Sequence, residues 1–226
     1  MLPADESHHA LKVMRVAPPD VVTVADGRGT VARGAAARVE GDALVVEVLE
    51  SETHRRPKPE LAVYQGAAKG HKNDEVVEKL AELGVAEVRV YESKRSVARW
   101  DQAKVARLDE RWAAIARSAA KQSRNPFLTR AVAGLSWTQV VREVAREQVA
   151  VVLWEEASLP LRTALLQGIE RIALVVGPEG GLERSEAEAL ADAGAQLVSL
   201  GPRILRTENA AVVAASAVLF AYGLIG

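Results

Sequence analysis

The stretch LVVGPEGGLERSEAEALADAGAQLVSLGPRILRTENAA, Leu174 to Ala211, reads as two strand-to-loop-to-helix units in succession. The apolar run Ala173–Val176 predicts a buried strand that breaks at Gly177-Pro178-Glu179-Gly180-Gly181, with a helical segment after it. A second short strand, Gln196–Leu200, gives way to Gly201-Pro202-Arg203-Ile204-Leu205-Arg206-Thr207-Glu208. That loop opens the last helix, Glu208–Tyr222, with Thr207 as a candidate N-cap. Loops at the carboxyl ends of strands are where α/β sheets hold ligands. Gly177, Gly180 and Gly181 let backbone approach a ligand closely, and Pro178 stiffens the turn. Those residues alone would equally suit a tight turn. The second loop asks for more: Arg203 and Arg206 flank the apolar pair Ile204-Leu205, which suits a flat organic ligand held by backbone groups.

Upstream, strands and helices alternate from Leu61 onward, the pattern of an α/β domain. Leu61–Ala67, Val88–Tyr91 and Val149–Trp154 predict strands. Asp74–Leu83, stopped by Gly84, Asp101–Gln122 and a segment near Ser136–Glu147 predict helices. Trp154 and Glu155 end a strand and form a third loop on the ligand edge. Glu155 and Glu156 are adjacent and so diverge, which favours a solvated or capping role over paired acid–base work. The charged, Pro-broken segment Glu52–Glu60 predicts a linker, dividing the chain into residues 1–60 and 61–226. Before it, a short helix His8–Arg15 precedes three β-rich segments, Val21–Ala25, Thr30–Val39 and Ala43–Glu50, whose alternation predicts a small antiparallel barrel. Gly27-Arg28-Gly29-Thr30-Val31-Ala32 matches a dinucleotide fingerprint in letters only, because strand rather than helix follows it. A hairpin turn is the expectation there.

Zero cysteines exclude disulfides and thiolate metal sites, and adjacent His8 and His9 point about 100° apart on a helix, so no metal is expected. No run approaches the roughly 20 apolar residues of a membrane span. A soluble cytoplasmic protein is the expectation. The net charge of −1 conceals a basic run: Lys94 to Arg130 holds ten Lys/Arg against three Asp/Glu. Such a run is a solvated helix face or an RNA contact.

Taken together, GPEGG with Glu186 and then LGPRILRTENA resemble the C-terminal signature of the SPOUT-class RNA methyltransferases. Within that class the chain most resembles the family that methylates N3 of a uridine in 16S ribosomal RNA. Further family-like pieces occur in order: His8–Arg15, Asp26–Gly29, Lys79–Val85, Arg95-Ser96-Val97 and Gln122-Ser123-Arg124. Where the family has Arg-Thr-Glu-Thr-Ala, this chain carries Asn209 in place of the second Thr. The resemblance implies a C-terminal α/β domain with a deep trefoil knot, an N-terminal PUA-like barrel that helps hold RNA, and a homodimer. Its cofactor would be S-adenosylmethionine and its partner 16S ribosomal RNA or the small subunit. The implied cofactor residues are Gly177, Pro178, Glu179 and Gly180, then Leu200, Gly201, Ile204 and Leu205, with Thr207, Asn209 and Ala210. Trp154 and Glu155 join them from the third loop. Arg206 and Glu208 are the implied catalytic pair, with Glu208, Glu179 and water open as proton acceptors. Arg15, Arg28, Arg95, Arg124 and Arg130 are the candidate RNA contacts. The competing readings are a nucleotide enzyme, which lacks its P-loop or fingerprint, a non-catalytic RNA-binding module, and a methyltransferase of another RNA site.

Overall fold

The computed structural model describes residues 1–96 and 98–226; Val97, in the Arg95-Ser96-Val97 piece, lies outside the described residues. The chain divides into two compact units, Met1–Arg56 and Pro57–Gly226.

The first unit opens with helix α1, Ala4–His8, which continues as a π-helical turn, His9–Val13. The helical stretch therefore starts earlier than the expected His8, and Arg15 beyond it takes a left-handed φ of 56°. Strands β1 (Val21–Ala25), β2 (Thr30–Glu40) and β3 (Ala43–Thr53) follow. They form an antiparallel sheet of order β1-β2-β3, so among the described residues each outer strand pairs only with β2. The β1–β2 turn is a hairpin: the Asp26 carboxylate accepts from the amides of Arg28 at 2.7 Å and Thr30 at 3.0 Å. Those backbone donors hold its carboxyl below the usual range. Gly34 sits at a register shift where a Cβ would meet the Glu47 carbonyl oxygen at 2.5 Å, so no larger residue fits the bulge. Strand β3 runs to Thr53, which shortens the expected linker to the residues after it.

The second unit is a parallel sheet covered on both faces. Its strands are β4 (Glu60–Gly66), β5 (Glu87–Tyr91), β6 (Arg130–Leu135), β7 (Val149–Leu153), β8 (Arg171–Val176) and β9 (Gln196–Val198). The order is β6-β5-β4-β8-β7-β9, all pairs parallel. Period-two alternation sends Leu61, Val63, Val151, Ile172 and Leu174 to one face. There they pack on helices α2 (Lys72–Glu82), α3 (Gln102–Ser123) and α6 (Thr207–Ala221). Ala62, Tyr64, Tyr91, Val152 and Val175 face the other side, under α4 (Trp137–Val144) and α5 (Arg184–Asp192). Burial on both faces explains why these strands read as unbroken apolar runs. Among the described residues no helix is long and apolar enough to cross a membrane.

Several expected boundaries move. Strand β6 had no counterpart in the sequence reading, because Arg130-Ala131-Val132-Ala133-Gly134-Leu135 is short and contains Gly134 at φ 71°. Strand β9 ends at Val198, with Ser199 bridging to Pro160. Thr207 is not the N-cap of α6: Arg206 holds the extended cap conformation, and the Thr207 hydroxyl is used elsewhere.

Candidate functional site: a cleft at the strand ends

Gly66 ends β4 where the backbone leaving β8 passes beside it. A Cβ on Gly66 would lie 2.3 Å from the Pro178 nitrogen and 2.7 Å from the Gly177 carbonyl carbon, so only glycine allows this approach. The loop then turns back on itself, with the Gly181 amide donating to the Pro178 carbonyl at 2.9 Å and Gly181 at φ 69°. Glu155 closes against it: a Cβ on Gly181 would meet Glu155 Oε1 at 2.9 Å. The second loop is shaped by Ser199, whose Oγ accepts from the Gly201 amide at 3.1 Å, and by Gly201 at φ 110°.

Thr207 ties the two loops together. Its hydroxyl donates to the Gly177 carbonyl at 2.6 Å and accepts from Gln65 Nε2 at 2.7 Å, and Gln65 also donates to the Gly66 carbonyl at 3.0 Å. Gln65 is fully buried in a central strand, and a lone amide among Leu, Ala, Val and Tyr was the signal for it. Tyr91 adds a brace, its hydroxyl donating to the Val176 carbonyl at 3.0 Å; burial pushes its pKa up and keeps it protonated.

The loops enclose a cleft of about 840 Å³. Gly177, Pro178, Glu179 and Gly180 line it from the first loop, and Trp154 and Glu155 from the third. Leu200, Gly201, Ile204, Leu205, Arg206, Thr207 and Ala210 line it from the second. Two expected residues do not: Asn209 is exposed on the first turn of α6, and Glu208 is buried behind the cleft wall. A helix turns successive side chains by about 100°, so these neighbours of Thr207 cannot all face one way. Arg203, expected beside Arg206 in the second loop, also lines the cleft, as do Lys72, Leu153 and Ser199, which were not foreseen.

Lys72 connects the acidic groups. Its ammonium lies 3.2 Å from Glu179 Oε1 and 3.7 Å from Glu208 Oε2. Burial opposes ionisation of Glu179, but the Lys69 amide at 3.0 Å, its own amide and Lys72 outweigh it and hold its carboxyl below the usual range. Glu208 Oε2 is buried and accepts no hydrogen bond. By contrast, Arg206 is exposed and makes neither an ion pair nor a side-chain hydrogen bond among the described residues. Ile204, 91% exposed, stands at the rim.

The basic run does not converge on one place. Arg95 reaches the first loop, its Nη1 donating to the Gly180 carbonyl at 3.1 Å. The preceding Lys94 amide donates to Glu186 Oε1 at 2.9 Å, and Glu186 is buried at the start of α5. Arg124 caps the far end of α3 at φ 56°, and Arg130 opens β6 with its guanidinium 3.9 Å from Glu87, which opens β5. These two occupy the amino-terminal edge of the sheet, opposite the cleft. Arg15 and Arg28 belong to the first unit. Glu156 pairs with Arg184, whose guanidinium also stands 5.5 Å over the Trp154 ring, so Glu155 and Glu156 do diverge. No group of residues able to hold a metal occurs among the described residues.

A parallel sheet with glycine-bent loops at its carboxyl edge and a free arginine over a backbone-lined cleft is the architecture of a ligand-binding α/β domain. The chain belongs to the RNA methyltransferase domain family, whose model matches residues 55–219. Its relatives include the ribosomal RNA small subunit methyltransferase E of Mycobacterium bovis, 36% identical over 95% of this chain and 83% of that one. The protein of the same name from Bacillus subtilis is 31% identical over 96% and 88%. Among solved structures, a methyltransferase of Legionella pneumophila with bound S-adenosylmethionine superposes with a TM-score of 0.88, at 28% identity over 97% and 90%. The ribosomal RNA small subunit methyltransferase E of Neisseria gonorrhoeae, also bound to S-adenosylmethionine, gives 0.84 at 26% identity over the same shares.

Proposed function

We propose that this chain is an S-adenosylmethionine-dependent methyltransferase acting on N3 of a uridine in 16S ribosomal RNA. The observation that carries this reading is the unpaired Arg206 guanidinium on a cleft built of backbone and apolar side chains. The names of its relatives and the cofactor in its structural neighbours support it. The cleft fits the cofactor chemically: Leu153, Val176, Leu200 and Leu205 offer an apolar bed for an adenine, and Glu155 and Glu179 complement a cationic ligand. When bound, S-adenosylmethionine supplies an electrophilic methyl group.

This chain's residues do the rest. The uridine imide is a poor nucleophile until it loses its proton, and the resulting charge spreads onto the flanking carbonyl oxygens. Arg206, free of internal partners, brings the paired donors of its planar fork to them. Glu179 already accepts several hydrogen bonds, whereas Glu208 has a free acceptor oxygen and takes the imide proton once its side chain turns from behind the wall, away from Lys72, into the cleft. The second unit carries a SPOUT-type trefoil knot, and the first is a PUA-like domain that holds RNA. Val213, Ala217 and Phe220 form an exposed apolar stripe on α6, which suits a homodimer in the cytoplasm.

The direct test is methyl transfer from radiolabelled S-adenosylmethionine to small-subunit ribosomal RNA and to assembled subunits, mapped by primer extension. An N3-methyl group blocks base pairing, so one discrete stop at a uridine is expected. Label incorporated at another base, or none, removes the assignment. In the same assay, residues 57–226 alone should keep cofactor binding and lose RNA affinity; unchanged RNA affinity would end the role given to the first unit. A monomer mass in light scattering would end the dimer.

A further inference from the structure

A second cavity, of about 660 Å³, lies between the loop after β4 and the amino-terminal half of α3. Lys104, Arg107 and Arg111 are spaced three and four apart, so they share one face of α3 and project to the same side. Lys69 and His71 line the opposite wall, and Trp100 forms part of the floor, edge-on to the buried Trp112 with ring centroids 5.9 Å apart. Asp74 is the one carboxylate among the described lining residues, and it is already engaged. It lies 2.7 Å from an Arg111 nitrogen, accepts from Trp112 Nε1 at 2.7 Å, and stands 3.1 Å from His71 Nδ1. Lys69, Lys104 and Arg107 make no ion pair among the described residues, so their charge is uncompensated. The cavity is thus cationic with one half-buried aromatic ring, the pairing that holds a phosphate and stacks a base.

Its position is tied to the cleft. Asn73 fixes the loop by donating to the Ala68 carbonyl at 3.0 Å and accepting from its amide at 3.2 Å. Lys69 lines this cavity while its amide donates to Glu179 of the cleft, and Lys72 lines the cleft itself. The segment Lys69–Lys72 is therefore a shared wall.

We propose that this cavity binds one unstacked RNA nucleotide adjoining the modified uridine, its base on Trp100 and its phosphate on Lys104 and Arg107. That this nucleotide adjoins the modified uridine rests on the methyltransferase reading; the nucleotide site itself does not. Sequence-tolerant stacking makes oligouridylate an adequate probe, and binding is read by tryptophan fluorescence and filter retention over a salt series. In the full-length protein, Lys104→Ala with Arg107→Ala should weaken binding about tenfold and lower the slope of log affinity against log salt by about 0.7, one phosphate's share on a single strand. Trp100→Leu should weaken binding about tenfold with the slope unchanged, the mark of lost stacking rather than lost charge. The KM for ribosomal RNA should rise in both, with the S-adenosylmethionine dissociation constant unmoved. Oligouridylate affinity and slope identical to wild type in the double variant would overturn the site, as would a wild-type protein that does not bind oligouridylate. Binding that depends on these residues in a protein that transfers no methyl group would leave the nucleotide site standing and remove the methyltransferase reading.

Discussion

Arg206→Lys is expected to cut methyl transfer by about 100-fold or more, the scale for losing one preorganised donor, with folding and cofactor affinity little changed. The guanidinium makes no internal pair, so no brace is lost when it is replaced. Its planar fork can serve a uridine carbonyl with two donors at fixed geometry, whereas a lysine offers a flexible point charge. Turnover within a few-fold of wild type would take Arg206 out of the mechanism. Glu208→Gln tests the proton step in the same assay. It should be slow at neutral pH and regain rate as pH rises, because solvent base then takes the imide proton. A rate that stays low at all pH would mean that Glu208 serves Lys72 and not the proton.

The second large effect is expected from a methyl group. Gly66→Ala places a Cβ 2.3 Å from the Pro178 nitrogen and 2.6 Å from its Cδ, and neither β4 nor the loop can turn aside as a flexible side chain would. Overpacking of this kind costs about 1–3 kcal/mol. The cleft should suffer more than the fold, because the relief available is to push the Gly177–Gly181 loop outward and break the Thr207 tie. Calorimetry should show S-adenosylmethionine affinity reduced at least about tenfold while the melting temperature falls by several degrees. Normal affinity in a folded Gly66→Ala protein would show that the close approach does not shape the cleft.

Much of the α/β unit was legible because strands buried on both faces announce themselves as apolar runs, and Gly177-Pro178 and Gly201-Pro202 mark where those runs stop. The loops that line the cleft were readable for the same reason. Lys72 was not, since a lysine opening a helix looks like any solvated charge until Glu179 and Glu208 are brought to it from far along the chain. Gln65 stands out as a lone amide in an apolar strand, but what it does there is hidden, its partner Thr207 being 142 residues away. Arg124 and Arg130 mislead in the opposite direction. A run of charge says nothing of where a 22-residue helix carries it, and α3 delivers these two to the far edge of the sheet. Strand β6, short and interrupted by Gly134, gives no periodic signal to find.

The Gln65–Thr207–Gly177 tie also has a meaning in time. Strand β4 is made early, yet its neighbour in the sheet, β8, begins only at Arg171, and the helix that completes the cleft starts at Thr207. A growing chain on the ribosome therefore carries β4 with one edge unsatisfied while residues 67–170 are made. Contacts so distant in sequence form late and slowly. The cofactor site can therefore close only after the chain has been made through Thr207, whatever has folded before it.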